Sequence, residues 1–256
     1  MSSVKDYLFE VEQGRCVAWI KENYDVDIDP DEPSDQWDTL ASDYQAMLDA
    51  ESEEAEAQWL ERHSPRQFFD EFSEGLAMAS SLLALGNDPG QTSTLHKLVY
   101  GHAVTLLETL ISSIVRKLVV TDQGLMMMLA ANHESLHKRT ITLREIAEQP
   151  KIVEAIVLKV LSELSFHNPA TIKAVLGAMF GDRVRGLQIG GVASICTKRH
   201  DIVHRNGKTV HDDPIVLAPE EVEQAIATIR AFAADLKARI YSSLDERDGS
   251  DLWLVC

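Results

Sequence analysis

At 256 residues and 45% hydrophobic, the chain is long enough to bury one substantial core with a smaller appendage, and its composition excludes disordered, fibrous and membrane-spanning classes. The formal charge of −17 is very uneven: residues 1–61 hold 18 Asp and Glu against Lys5, Arg15 and Lys21, net −15, which leaves −2 for the other 195 residues. No apolar run approaches the ~20 residues that cross a bilayer, and the acidic, interrupted start MSSVKDYLFEVEQ is unlike a secretory signal, so a cytoplasmic protein without a membrane partner is expected.

Helical periodicity dominates the chain and runs of alternating β-branched residues are missing, so the expected fold class is all-α. A first helix reads from Val4 to Tyr24. The acidic loop DVDIDPDEPSD follows, and Ser34 is placed as the N-cap of a helix to about Arg62, which makes residues 1–62 an acidic helical region ahead of a domain at 63–256. Asp25, Asp27 and Asp29 look like the start of a calcium loop. Pro30 stands where the turn glycine belongs and Gln36 where the bidentate Glu belongs, so a charged linker is expected instead.

Ser64-Pro65 opens a helix that is carried to Gly86 as its C′ residue, and NDPGQTST makes a loop. From Thr94 to Val120 runs the longest apolar helix, with Leu98, Val99, Ala103, Leu106, Leu107, Leu110, Ile111, Ile114, Val115 and Leu118 covering over half its circumference. Such a helix is central or is shared between two chains. Its polar strip of Thr105, Glu108, Thr109, Ser112, Ser113 and Arg116 reads as a solvated edge, and Met126 to Met128 read as core packing. TLRE from Thr142 is a capping box, Pro150 starts a helix through Leu164, and Asn168-Pro169 starts another to Gly181. A helix from Ile189 to Asn206, then Gly207, precedes a final amphipathic helix with acids in its first turn and Lys237 and Arg239 late.

The chemistry concentrates in KRHDIVHRNG, Lys198 to Gly207. Val192, Ile195, Cys196, Ile202 and Val203 form one apolar stripe at ~100° per residue, and Arg199 falls inside it, where a guanidinium must find an anion or reach a cleft. His200 and His204 stand four residues apart beside that stripe, so one face is expected to present a guanidinium with two imidazoles. An imidazole near its pKa can take a proton from a ribose 2′-hydroxyl or give one to a leaving oxygen, and an arginine fork can hold the phosphate between them. Lys198, Arg205, Lys208 and His211 crowd round and are expected to create a positive field for RNA. A purely structural alternative pairs Arg199 internally with Asp201 or Glu108.

The run RHDIVHRNGK at a helix end, followed by the acid-rich turn HDDP and the long helix APEEVEQAIATIRAFAADL, resembles a HEPN domain, an all-α domain of prokaryotic defence and toxin systems. LVYGHAVTLLETLISSIVRKLV resembles the family's first long helix and LSFHNPATIKAVLGAMFGD the segment before its motif helix, so the likeness spans roughly residues 64–245 and is similar to the RiboL-PSP-HEPN subgroup. The resemblance implies a HEPN-like bundle, a homodimer whose two motifs face one cleft, and metal-independent endoribonuclease activity without a cofactor. Carried over residue by residue, the Arg-x4-6-His motif is Arg199 and His204. The polar residue after the Arg is His200, and the acidic residue near the site is Glu108. Asn206, Lys198, Arg205 and Lys208 are expected to support the pair or bind RNA. An antitoxin or defence-system partner is a further implication, although the Tyr that certain family toxins carry two places after the His is Asn206 here. Catalytically silent HEPN modules that bind RNA or a protein partner form the alternative.

Two other patterns compete. HESLH, His133 to His137, matches the H-E-x-x-H zinc-protease motif, with Glu134 as the water-activating group, but its flanks are polar and no third ligand is evident, so a solvated helix end is expected. Phosphate-loop and dinucleotide glycine patterns are missing, and Cys16, Cys196 and Cys256 form no C-x-x-C pair, so no nucleotide cofactor, disulfide framework or zinc ribbon is expected.

Overall fold

The structure, a computed structural model, describes residues 4–32, 34–85 and 88–251. Among these it is all-α, with ten α-helices and one short 3-10 turn, and the chain divides into two compact units, Met1–Arg62 and His63–Cys256.

The first unit is a helical pair, α1 (Val4–Tyr24) and α2 (Asp35–Arg62). Ser34 begins α2 by accepting the Trp37 N–H at 3.1 Å, which satisfies one of the donors a helix start leaves unpaired. Cys16, Ile20 and Leu40 form a small core, and Trp19 meets Tyr24 edge-on at 5.7 Å and Tyr44 at 5.4 Å. In the acidic loop, Lys21 lies 2.8 Å from Asp27 and 3.3 Å from Asp25, and the Asp29 carboxylate accepts the Asp31 N–H at 3.0 Å. These carboxylates close their own turn.

The second unit holds α3 (Pro65–Leu82), α4 (Pro89–Thr121), α5 (Gln123–Asn132), α6 (Leu143–Glu148), α7 (Ile152–Glu163), α8 (Pro169–Phe180), the 3-10 turn Gly181–Val184, α9 (Gly190–His204) and α10 (Pro219–Asp251). Capping boxes start α3 (Ser64 with Gln67) and α6 (Thr142 with Glu145), and Asn168-Pro169 starts α8. Several boundaries differ from the sequence reading for local reasons. α4 starts five residues before Thr94, because the Asp88 carboxylate caps Gly90 and Gln91 at 3.0 and 3.2 Å with Pro89 in the first turn. α3 ends at Leu82, and Gly86, its expected C′ residue, lies outside the described residues. α7 begins at Ile152 instead of Pro150, since Ile152 N–H instead closes a turn on the Gln149 carbonyl at 3.0 Å.

α4 is the central helix and packs against α3, α5, α7, α9 and α10. Val99, Ala103, Leu107, Leu110, Ile111, Ile114, Val115 and Leu118 are all buried on it, but Leu98 is 64% exposed. Its polar strip is not wholly solvated, because Ser113 is buried as well. Of the methionine run only part is core: Met126 is buried while Met127, ~100° further round α5, is half exposed. His96 Nδ1 donates to the Leu217 carbonyl at 2.8 Å and ties α4 to the segment leading into α10. At the start of α9, a Cβ added to Gly191 would sit 2.9 Å from Thr228 Cγ2, so glycine lets α9 lie close against α10. No helix among the described residues is long and apolar enough to cross a membrane.

Candidate functional site

The apolar stripe of α9 begins in the core, where Val192, Ile195 and Cys196 are buried, and comes out at Arg199. Beyond that point Arg199, Ile202, Val203 and Asn206, which span roughly 100° of the helix, face a groove of about 510 Å³. Thr94, Lys97, Leu98, Gly101, His102 and Thr105 of α4 form the opposite wall. Leu98 and Val203, the latter half exposed, make apolar lips.

The end of α9 shapes one mouth of the groove. Asn206 takes φ 52° and Gly207 φ 74°, and the Gly207 N–H reaches back to the Ile202 carbonyl at 3.0 Å, a Schellman closure that stops the helix at His204. Asn206 is therefore first a turn residue, because Asn tolerates the left-handed conformation. Lys97 comes so close that its Nζ would lie 2.7 Å from a Cβ on Gly207.

Within the groove, Arg199 Nε is buried and has no hydrogen-bond partner among the described residues. Neither proposed internal partner takes the guanidinium: Asp201 pairs with Arg205, and Glu108 with His167. His200 and His204 are exposed, their rings 4.7 Å apart and tilted by 42°. They stand ~100° and ~140° round the helix from Arg199, outside the groove. The single face expected to present all three groups is thus split between the groove and the adjoining surface.

The surrounding basic residues are mostly neutralised. Lys198 pairs with Glu221 at the start of α10, Arg205 with Asp201, and Lys208 Nζ lies 3.5 Å from Asp212. These contacts weaken the positive field expected of Lys198, Arg205 and Lys208, since each cation is matched by a carboxylate within the same fold. The groove's own cationic supply comes from Lys97, which forms no ion pair among the described residues, together with Arg199. Lys97 and His102 went unnoticed in the sequence because only the packing of α9 distinguishes their side of α4.

About one turn beyond Thr105 on α4, just past the groove lining, Glu108 holds a further imidazole that the sequence reading also missed. His167 Nδ1 lies 3.2 and 3.3 Å from the two Glu108 oxygens, and the Ser165 hydroxyl is 2.8 Å from Nδ1 and 3.1 Å from Nε2. About a third of each of the His167 and Glu108 side chains is exposed. The Cys196 thiol lies in the field of both Arg199 and Glu108. Burial pushes it up to about 11, with the guanidinium lowering it and the carboxylate raising it, so it is a thiol at neutral pH and no thiolate nucleophile.

HESLH does not form the zinc-protease geometry. The chain leaves α5 at Asn132, and His133 adopts extended backbone at φ −82°, ψ 134°, so the two imidazoles do not stack on one helix face. His133 is buried, its Nδ1 accepts the Ser135 N–H at 3.4 Å, and burial holds its pKa below the ordinary imidazole range. His137 Nδ1 donates to the His133 carbonyl at 3.0 Å. Among the described residues no three His, Cys, Asp or Glu side chains gather as metal ligands.

In comparison with known proteins, no family model, curated protein or solved structure matches this chain.

Proposed function

We propose that the chain is a metal-independent endoribonuclease of the HEPN type, acting as a homodimer in a prokaryotic defence or toxin setting. Arg199 holds the scissile phosphate. His204 takes the proton from the 2′-hydroxyl, O2′ attacks phosphorus, and the P–O5′ bond breaks to leave a 2′,3′-cyclic phosphate. His200 steadies His204 through ring contact, Asn206 stands at the groove mouth, and Lys97 adds attraction for the RNA backbone.

The observation that carries this reading is the buried, unpartnered Arg199 Nε in an open groove. A buried N–H without a partner costs about 1–3 kcal/mol, and a bound phosphate oxygen would recover it. The test is cleavage of RNA in EDTA by the wild type, Arg199→Ala and His204→Ala. Wild-type cleavage, reduced ~100-fold or more in each variant, is expected. Equal rates in all three overturn the reading.

The position of the two exposed imidazoles outside the groove favours a second reading, a catalytically silent HEPN module that binds RNA through Lys97 and Arg199. That module binds RNA without cutting it and loses affinity in Arg199→Ala.

A further inference from the structure

Lys97 meets Gly207 at one end of the groove, while Glu108 acts on Cys196 at the other, so α4 and α9 run in opposite directions along it. Arg199 lies between these ends. His204 is five residues, ~7.5 Å of helix rise, towards the Gly207 end. Glu108 is three residues, ~4.5 Å, beyond the groove residue Thr105 towards the other end, and it holds His167. Counted along the two helices, Arg199 therefore lies between His204, on the surface beside the groove, and the Glu108–His167 pair, just past the groove lining. An in-line displacement calls for proton-transfer groups on opposite sides of phosphorus, because the attacking and leaving oxygens stand opposite one another, and this order along the helices supplies one group towards each end.

His167 is also held as a proton donor would be. Its Nδ1 lies against the Glu108 carboxylate, which orients the ring, the Ser165 hydroxyl lies against the same ring edge, and a third of the side chain remains open to solvent.

We infer that His167 is the general acid of the endoribonuclease reaction and Glu108 its positioning residue; this rests on the endoribonuclease reading above. As His204 accepts the 2′-hydroxyl proton and O2′ bonds to phosphorus, the P–O5′ bond breaks and the His167 imidazolium gives its proton to O5′. The cycle closes when the two imidazoles exchange their proton difference with water.

The experiment compares wild type, His167→Gln and Glu108→Gln on an RNA dinucleotide and on its 5′-bridging phosphorothiolate, whose sulfur leaves without protonation. His167→Gln is expected to cut the oxygen substrate ~100-fold more slowly and the sulfur substrate within a few-fold of wild type, with Glu108→Gln between the two. Equal losses on both substrates, as a folding defect would give, overturn the assignment, as does a His167→Gln rate equal to wild type on the oxygen substrate. Wild type that cleaves neither substrate overturns the endoribonuclease reading itself, and this inference with it.

Discussion

Arg199 brings an unpaired buried donor into the fold. It shares the groove with Leu98, Ile202 and Val203, yet its Nε finds no acceptor among the described residues. Arg199→Met keeps the apolar stem and removes the unpaired donor, so unfolding is expected at or above the wild-type temperature, by up to several degrees for ~1 kcal/mol or more, while RNA cleavage is lost. A lower Tm would mean that the guanidinium holds the fold. The position of this arginine was legible in the sequence, because a 100° periodicity is enough to put it inside the apolar stripe. What its neighbours do was not. Arg205 and Asp201 are a visible i,i+4 pair, but spacing could not decide whether Asp201 serves Arg205 or Arg199. Lys198 finds Glu221 23 residues away, and Glu108 finds His167 59 residues away, through the packing of separate helices. The half of the candidate site that lies on one helix could be read, and the half that α4 and the loop before α8 bring to it could not.

Helix starts were legible at Ser64, Thr142 and Asn168, since caps are local chemistry, whereas the Asp88-Pro89 start of α4 reads as loop and α7 reads as starting at Pro150 instead of Ile152. Ser64, Thr142 and Asn168 act through hydrogen bonds to residues two or three places on, and those residues are adjacent in the sequence. Ends and turns were harder. HESLH has helical spacing, but the chain turns at His133 to bury that ring, a tertiary preference that periodicity does not register. The Gly207 closure tests how far α9's end governs the groove. Gly207→Ala places a side chain at φ 74° and displaces Lys97 Nζ, so a loss of about 1–2 kcal/mol is expected in urea unfolding, with weaker RNA binding from the moved lysine. Unchanged stability and binding would show that the turn adapts and that Lys97 is not a groove residue in function.

At the scale of the whole molecule, charge and chemistry are segregated. The first unit carries nearly all the net negative charge, and the second has its own core and the groove. Residues 63–256 alone are expected to fold cooperatively by circular dichroism. They are also expected to bind RNA several-fold more tightly than the full chain at ~50 mM salt, the difference closing by ~300 mM as screening removes the repulsion. Equal affinities at low salt would mean that the acidic unit does not act on the groove's field. The hydrogen bond from His96 to the Leu217 carbonyl spans 121 residues, and α4 is buried in part by α10. Contacts of that sequence separation close late, so on a nascent chain α3, α5 and α7 can cover their sides of α4 while the strip that faces α9 and α10 stays uncovered until those helices are synthesised. The groove, whose second wall is α9, is thus among the last features the growing chain can assemble.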